Sequence, residues 1–436
     1  MEIRPFRAFR FDEKVVGDAG GCIAPPYDVI DRRQQEQLYK KNKYNIVRIT
    51  KGKQKPADNE SNNQYTRAAD YFNDWIKKGV LKQDSADAFY AHIQDFEIGG
   101  GKFQRLSFIA LMKLEEFGKM VRPHEETLDE PKLDRLKLLR ATAANFGLVF
   151  MLYEDKKKIA DRIIRNAAKQ KSLVDFLDEQ KTRHRLFAIT AQKDIEAIVK
   201  TMRNKSCIIA DGHHRYETGL NYFRETGNPA AAYQMSAFVN VLDKGLIVLA
   251  THRLIGGLEY SRAERLLAEL ERNFKVTEFR FDLPSIKDKA GKKMLAQMKA
   301  ENKKGKNIFG IYCGNNAFYT ALLKNKRAMD SAACDMSRGW RSLDVPVLHK
   351  LVLEKPLRLN EKKLVNGLNI EYTEDTEGAV EEAIAKVDGG QKQIAFFVNP
   401  VKIRQLKKIT SAGEKIPQKS TYFYPKMYTG LTINKM

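Results

Sequence analysis

The stretch that most constrains how this chain folds is the pentapeptide DGHHR at residues 211–215, which separates a short apolar run from a helix-like pattern. The apolar run is Cys207–Ala210, and apolar side chains then recur at Tyr216, Leu220 and Phe223 with the spacing of one helix face. The sequence therefore predicts a strand, a tight turn and a helix that begins inside the motif. Any fold of this chain has to place a strand end beside a helix start.

The start of a helix is a favourable place for an anion, because the first backbone N–H groups lack intrahelical partners and the helix dipole is positive there. Arg215 adds a planar guanidinium group that suits phosphate or carboxylate, and Gly212 lets the backbone approach a ligand closely. We interpret the motif as a phosphate site. The alternative is structural: Asp211 caps the helix and the two histidines are exposed.

Length and composition indicate a globular protein of two or three domains, since the chain has 436 residues, 43% hydrophobic and 30% charged. No apolar run approaches the roughly 20 residues that span a bilayer, and the first residues lack a secretory signal, so we expect a cytoplasmic protein without a membrane segment. The four cysteines are far apart and form no C-x-x-C pair. This spacing favours neither a disulfide framework nor a zinc site.

The net charge of +22, from 77 Lys and Arg against 55 Asp and Glu, suits a nucleic-acid binder or a protein that handles phosphorylated metabolites. The lysines are spread over several predicted helices and are not concentrated in one arm. Solvated helix surface is therefore the simpler alternative explanation.

Strand and helix patterns alternate along the chain. We predict a strand at Tyr44–Thr50, a helix at Thr66–Lys78, and β-hairpins around Gly99–Gly101 and Gly314–Asn316. The combination predicts an α+β fold with mixed sheets and packed helices.

Two proline-containing loops carry residues suited to chemistry. Pro25 and Pro26 stiffen the backbone before Asp28, which makes a rigid mount for a catalytic carboxylate. The alternative is that Asp28 caps the helix that follows. In the second loop, His124 and Glu125 form either an acid/base pair or, with Arg122, a second anion clamp. Here the alternative is a surface loop with a capping acid.

Two further stretches add positive charge. His252 and Arg253 follow the apolar run GLIVLA, so we expect them at a strand end, where ligand sites often lie. Near the C-terminus, residues 416–430 combine aromatics and prolines with groups that bind phosphate, namely Lys419, Ser420, Thr421 and Lys426. The alternative for this segment is a strand docked on the core with its lysines outward.

Taken together, IAPPYDVI, RPHE followed by DRL, IADGHHRYET, THR after a strand, LDVPVLH and PQKSTYFYPKMYTGL resemble, in order, a bacterial and archaeal family of conserved proteins of unknown function. That family is similar to the ParB and sulfiredoxin superfamily, in which a strand–turn–helix motif ending in Arg binds nucleotide phosphates. The resemblance implies a ParB/sulfiredoxin-like domain at residues 156–255, preceded by an α/β part at 1–155. A C-terminal α/β part at 256–436 follows, and its last segment returns to the site.

The resemblance also implies an activity. Free serine kinase of the same superfamily carries a similar motif and an upstream acidic residue as base, and genes of the family accompany serine biosynthesis genes. We therefore expect an enzyme of phosphoryl transfer that interconverts serine and O-phosphoserine, as a kinase or in the phosphatase direction, with ADP or ATP and Mg²⁺.

Other functions remain open at this stage. His213 occupies the position of sulfiredoxin's reactive cysteine, which argues against peroxiredoxin repair. The alternative from another class is a nucleotide-gated ParB-like protein that binds DNA or a partner, although no counterpart of the ParB helix-turn-helix is identified. A metal-dependent nuclease that uses Asp211 and His213 needs more clustered acids than the sequence offers.

The resemblance assigns roles residue by residue. Asp28 accepts the proton of the serine hydroxyl, and Asp211 holds Mg²⁺ or orients a histidine. His213 and His214 flank the transferring phosphoryl group as catalytic residues. The residues expected to bind phosphate or nucleotide are Gly212, Arg215, His252, Arg253, Lys419, Ser420, Thr421 and Lys426. The residues expected to hold the amino acid's carboxylate and amine are Arg122, His124 and Glu125.

Overall fold

The computed structural model describes residues 1–118, 120–360 and 369–436, and the chain divides into two compact units. The first unit comprises Met1–Pro123, Thr127–Ile247 and Pro425–Met436, and the second comprises His124–Glu126 and Val248–Tyr424. Helices and sheets occur in both units. The predicted α+β class is thus confirmed.

A nine-stranded mixed sheet forms the centre of the first unit. Its strands, in spatial order, are Val121–Arg122, Cys207–Asp211, Val149–Tyr153, Tyr233–Asn240, Gly101–Lys113, Phe89–Ile98, Arg183–Ile189 and Val174–Leu177, with Ile3–Arg4 paired to Gly101–Lys113. The first two strands are parallel, as are Val149–Tyr153 and Tyr233–Asn240, and the other pairs are antiparallel. Short strands at Phe9–Phe11 and Leu81–Gln83, and at Ala144–Asn145 and Asn434–Lys435, form two further pairs.

Helices cover this sheet and bury its apolar side chains. The α-helices are Glu13–Val16, Arg32–Lys41, Val47–Thr50, Gln64–Lys77, Asp129–Thr142, Ile159–Ala167, Gln192–Met202 and His213–Thr226, and short 3₁₀ helices lie at Ala19–Cys22, Tyr27–Val29 and Pro229–Ala232. The core beneath them combines sheet residues such as Phe108 and Met151 with helix residues such as Ile164 and Ile198, all almost fully buried. Burial of such side chains contributes about 1.5–3 kcal/mol each.

The first hairpin prediction is confirmed. Phe89–Ile98 and Gly101–Lys113 pair antiparallel, with Ile98 opposite Gly101. Gly99 and Gly100 form the two-residue turn at φ of 56° and 75°, the left-handed conformation that such turns require.

The predicted strand at Tyr44–Thr50 is wrong, because Val47–Thr50 is a short helix. The Asn45 side chain donates to the Gly21 carbonyl at 2.8 Å and accepts from the backbone N–H of Val47 at 3.0 Å, which bends the chain into a turn. The β-branched residues are fully buried in this helical conformation. Tertiary packing therefore outweighs their strand propensity.

A six-stranded antiparallel sheet forms the centre of the second unit. Its strands, in spatial order, are Phe274–Arg280, Ala317–Leu323, Ile308–Tyr312, Ile394–Phe397, Thr251–Ile255 and Ile370–Glu374. The α-helices of this unit are Tyr260–Leu270, Pro284–Lys303, Ala328–Ala332, Asp344–Leu348, Ala379–Asp388 and Ile403–Ser411, with a π-helix at His349–Leu353 and a 3₁₀ turn at Trp340–Ser342. Within residues 1–118, 120–360 and 369–436, the remaining strands are Ile247–Leu249 and Tyr422–Tyr424. The second hairpin prediction is confirmed by the pairing of Ile308–Tyr312 with Ala317–Leu323.

In the part of the chain that the structure describes, none of the helices combines the length and apolar character required to cross a bilayer.

Candidate functional site

The DGHHR motif lies at the end of the strand Cys207–Asp211, which we call the motif strand, and opens the helix His213–Thr226, which we call the motif helix. The pairing of the motif strand with Val149–Tyr153 shifts register between Ile209 and Asp211. Such a bulge changes the direction of the side chain that follows it. The predicted strand, turn and helix are all present.

Gly212 connects the two elements in a conformation that suits glycine. Its φ is 91° and its ψ 29°, and it is the N-cap of the motif helix without a side-chain cap. A Cβ atom at this position would lie 2.9 Å from Nε of Arg215, which is closer than contact distance. Asp211 therefore does not cap the helix, and the structural alternative for this residue is wrong.

Asp211 is held between two cations. Its Oδ1 accepts from Nζ of Lys426 at 2.7 Å, and its Oδ2 accepts from Nη2 of Arg215 at 2.8 Å. Burial alone would raise the pKa of the Asp211 carboxyl, but Lys426 and Arg215 outweigh burial and hold that pKa well below its usual range. Asp211 is therefore a carboxylate that two basic side chains share.

Two buried residues of the first hairpin hold the backbone that carries Lys426. Gln94 donates from Nε2 to the Lys426 carbonyl at 3.0 Å, and Arg105 donates from Nη2 to the Pro425 carbonyl at 2.5 Å. Arg105 also donates to Oε1 of Gln94. Sequence reasoning missed both residues, and the available signal was that a Gln and an Arg lie inside the two strands of the predicted hairpin.

Neither histidine of the motif is exposed, so that part of the structural alternative is wrong as well. His213 is buried. His214 is half-buried, and its Nε2 accepts from the backbone N–H of Leu128 at 3.0 Å. Burial lowers the pKa of His214, against the opposite effects of Asp28 and Glu217. His214 is therefore a neutral imidazole that fixes the loop before the helix Asp129–Thr142.

Asp28 lies in the short 3₁₀ turn Tyr27–Val29, directly after the two prolines, and is exposed. The cap of the following helix is Asp31, whose Oδ1 accepts from the backbone N–H of Gln34 at 2.7 Å, so the capping alternative for Asp28 is wrong. Within residues 1–118, 120–360 and 369–436, Asp28 takes part in no hydrogen bond or salt bridge. Its carboxylate is thus available to a substrate.

Arg122 lies on the edge strand, where it is paired in parallel with Ile208 of the motif strand. In the sheet, the strand of Arg122 therefore lies next to the strand that carries Asp211.

His124–Glu126 of this loop belong to the second unit. His124 is buried, and its Nε2 lies 2.8 Å from Oγ1 of Thr421. Glu125 accepts from the same hydroxyl at 3.4 Å. The backbone N–H of Ile416 donates to the His124 carbonyl at 2.8 Å, which ties residues 416–421 to this loop. The structure thus groups three of the predicted residues: His124, Glu125 and Thr421.

His252 and Arg253 lie inside the strand Thr251–Ile255, so the prediction that they leave a strand end is wrong. The reason is that GLIVLA supplies only a short strand and the polar triplet continues in extended conformation as the next one. Arg253 is fully buried and donates to the backbone carbonyls of Thr251 and Lys419. Nε2 of His252 lies 3.3 Å from Oδ1 of Asp375.

The C-terminal segment matches its structural alternative only in part. Lys419 is exposed and has a φ of 56°. Ser420 is buried and donates from Oγ to the Pro417 carbonyl at 2.5 Å. The side chain of Lys426, in contrast, is only 12% exposed because it is turned towards Asp211. The segment therefore presents one lysine outward and one inward.

A metal site is not evident around Asp211. Among the described residues, no group of three or more His, Cys, Asp or Glu side chains is arranged to hold a metal ion. Both carboxylate oxygens of Asp211 already accept from a cation. Asp211 as a ligand of Mg²⁺ stays a prediction.

These observations define a mixed α/β protein whose strand–helix junction presents paired cations. The chain belongs to the DUF1015 family, described as a protein of unknown function, which matches residues 3–346. Among curated proteins none matches significantly. The solved structures it is similar to include a free serine kinase variant in complex with AMP, at 13% identity over 72% of this chain and 86% of that chain, with a TM-score of 0.36.

Two further solved structures are similar to the same degree. A conserved hypothetical protein from Pyrococcus furiosus is 14% identical over 72% of this chain and 95% of that chain, with a TM-score of 0.32. SbnI with a C-terminal truncation, from Staphylococcus aureus, is 10% identical over 73% of this chain and 84% of that chain, with a TM-score of 0.34. At this level of similarity no activity follows for this chain.

Proposed function

We propose that this chain is a nucleotide-dependent phosphotransferase that interconverts serine and O-phosphoserine. The observation that carries the proposal is the triplet of Asp211, Arg215 and Lys426 at the start of the motif helix. One carboxylate there aligns two cations whose side chains are each only 12% exposed. Preorganised cations in a site with little water stabilise the charge of a transferring phosphoryl group.

The catalytic contribution of the triplet is positional and electrostatic. Arg215 and Lys426 contact the phosphoryl oxygens, and Asp211 keeps both cations in place before the substrate arrives. Gly212 has no side chain, so its backbone can approach the phosphate beside His213. Positioning and charge neutralisation supply most of the rate enhancement in phosphoryl transfer.

Asp28 serves as the general base. In the kinase direction the serine hydroxyl oxygen attacks phosphorus, the bond from phosphorus to the bridging oxygen of the nucleotide breaks, and the hydroxyl proton moves to the Asp28 carboxylate. This residue is suited to the role because it is exposed, held by the rigid Pro25–Pro26 backbone and not engaged by another described side chain. His214 acts as a positioning residue through its bond to Leu128.

The remaining roles are those that the family resemblance implies. We assign Arg122, His124 and Glu125 to the amino-acid substrate, with Glu125 suited to its amine. The residues assigned to phosphate or nucleotide are His252, Arg253, Lys419, Ser420 and Thr421. Arg253 would act through the backbone, because two of its donors hold the carbonyls of Thr251 and Lys419.

The experiment is a direct assay of both directions. The purified chain is incubated with L-serine and ATP or ADP, and separately with O-phosphoserine with and without AMP or ADP, each with and without Mg²⁺. Serine, O-phosphoserine, phosphate and nucleotides are then quantified. We expect transfer that Arg215→Ala reduces sharply and that Arg224→Ala, an exposed position on the same helix, does not. No conversion in any combination refutes the proposal.

A further inference from the structure

A small cavity in the first unit lies beside Arg215. Asp211 and Lys426, the other two residues of the triplet, do not line it. Its volume is about 60 Å³, which is room for on the order of five water-sized groups. The helix Asp129–Thr142 contributes Arg135 to its wall, the strand Ala144–Asn145 contributes Asn145, and the C-terminal segment contributes Thr429. Three separate parts of the chain therefore converge on this space.

The charged residues that line the cavity are both arginines. Arg135 and Arg215 line it, whereas no Asp or Glu of the described residues does. The counter-ions of these arginines, Asp134 and Asp211, lie outside the lining. The cavity therefore has a positive wall and no acid facing it, an environment that favours an anion.

Hydrogen bonds and a contact with an aromatic ring fix the position of the Arg135 guanidinium group. It donates from Nε to Asp134 at 2.7 Å and from Nη1 to the Thr50 carbonyl at 2.8 Å, and its Nη2 also contacts Asp134. Its guanidinium carbon lies 3.8 Å from the centre of the Tyr27 ring. These contacts use three of the five N–H donors of the group, so two donors remain in a fixed orientation.

Arg215 uses fewer of its N–H donors in hydrogen bonds than Arg135 does. Its Nη2 donates to Asp211, while its Nε is buried without a hydrogen-bond partner among the described residues. Its Nη1 lies at the wall of the cavity, since a Cβ added to Gly147 would come within 3.0 Å of that atom and within 3.5 Å of Oγ1 of Thr429. Nη1 of Arg215 is therefore the donor that faces the cavity.

We propose that this cavity, the Arg135–Arg215 cavity, is a binding site for a small oxyanion. Two guanidinium groups with donors to spare match the oxygens of a phosphoryl or carboxylate group. The volume suits a small metabolite or the terminal group of a larger ligand. The inference rests on the proposed function only for the identity of that metabolite, O-phosphoserine or serine.

The test measures binding without turnover. Isothermal titration compares inorganic phosphate, O-phospho-L-serine and L-serine, with ethanolamine as the analogue of serine that lacks the carboxylate. The variant is Arg135→Met, and the matched control is Arg140→Met, which removes a guanidinium from the same helix outside the cavity. Thermal unfolding in phosphate and in chloride at equal ionic strength provides a second readout, since a ligand of the native state raises the Tm.

We expect at least one of the three oxyanions to bind wild type and the Arg140→Met variant alike. Arg135→Met should bind that ligand at least about tenfold more weakly, the loss expected for one charged hydrogen bond. Tight binding of phosphate and O-phosphoserine identifies a phosphoryl site, whereas binding of serine but not of ethanolamine or phosphate identifies a carboxylate site. Both outcomes support the proposal.

Gly147→Ala keeps both arginines. It provides a second test that does not depend on whether Arg135→Met folds. Its new methyl group lies close enough to Nη1 of Arg215 to displace the guanidinium, so it should weaken the same ligand while the Tm without ligand stays close to that of wild type. Equal affinities in wild type, Arg135→Met and Gly147→Ala overturn the proposal, as does the absence of binding of all three oxyanions to wild type. Binding that follows this pattern without any phosphoryl transfer would remove the proposed function and leave the oxyanion site in place.

Discussion

Lys426 donates from Nζ to Oδ1 of Asp211 across 2.7 Å, although the two residues are 215 positions apart in the sequence. The second oxygen of the same carboxylate accepts from Arg215, one helical turn along the motif helix. A long-range contact and a local one thus meet on one side chain. The arrangement places two cations at the start of a helix and makes each dependent on the carboxylate between them.

Replacing Lys426 by methionine tests whether this cation belongs to the site. We expect serine-dependent phosphoryl transfer to fall by about 10²-fold, the usual loss for one preorganised donor. The free energy of unfolding should drop by about 1–3 kcal/mol because one oxygen of Asp211 loses its partner. Activity and urea unfolding are measured beside Lys102→Met, an exposed lysine of the same unit. If the two variants behave alike, Lys426 has no role at the site.

The stability of the first unit should depend on pH through Asp211. Its pKa is held well below the usual range in the folded protein, whereas in the unfolded chain it is about 3.9. A depressed folded pKa contributes stability that is fully present above the unfolded pKa and is lost as the pH falls towards the folded pKa.

Acidification from pH 5 to pH 2.5 should therefore reduce the free energy of unfolding of wild type more than that of Asp211→Asn, which cannot titrate. Urea unfolding at several pH values measures both slopes. Parallel curves for the two proteins would contradict the assignment of a depressed pKa to Asp211.

Glycine at position 212 should be required for activity and not only for backbone geometry. Gly212→Ala places a Cβ 2.9 Å from Nε of Arg215 and also carries the cost of a left-handed alanine, about 1–2 kcal/mol. Gly227→Ala carries the same backbone cost at a φ of 62°, at the other end of the motif helix, with nothing within 4 Å of the new methyl group. We expect similar losses of Tm for both variants and a loss of transfer only for Gly212→Ala. Equal activities would show that the contact with Arg215 is irrelevant.

Local patterns were sufficient to predict the elements of the site. The apolar run before Asp211 and the helical spacing after it gave the motif strand and motif helix, and Gly99–Gly100 gave the first hairpin. These elements form from short-range preferences that the surrounding structure does not oppose. The strand predicted at Tyr44–Thr50 failed because Asn45 bonds to Gly21, a contact that no pattern within the stretch encodes.

The partners within the site depend on tertiary contacts. Lys426 was predicted to bind phosphate from the composition of its segment, but its pairing with Asp211 needs the backbone contacts to Gln94 and Arg105. Arg135 lies in the DRL stretch that carries the family resemblance but was given no role, because a single Arg on a helix is indistinguishable from surface charge until the cavity is seen. Sequence spacing determines which residues share an element, whereas the sheet order determines which elements meet.

Arg215 should matter for the reaction much more than for folding. Arg215→Ala removes one charged contact to the phosphoryl group, worth about 2–4 kcal/mol of transition-state stabilisation. Steady-state kinetics with serine and nucleotide measures the loss, and circular dichroism melting checks the fold. Arg224→Ala, whose side chain is 53% exposed on the same helix, is the control. Wild-type turnover by Arg215→Ala would refute the assignment.

The hydroxyl of Thr421 should stabilise the second unit through His124. Thr421→Val keeps the shape of the side chain but leaves Nε2 of the buried His124 without the oxygen that lies 2.8 Å away. One buried hydrogen bond contributes about 0.5–1.5 kcal/mol, so the free energy of unfolding should fall by that amount. Thr373→Val is the matched control, because this half-buried threonine on the strand Ile370–Glu374 has no side-chain hydrogen bond among the described residues. Chemical denaturation that ranks the two variants equally would show that the contact between His124 and Thr421 contributes no stability.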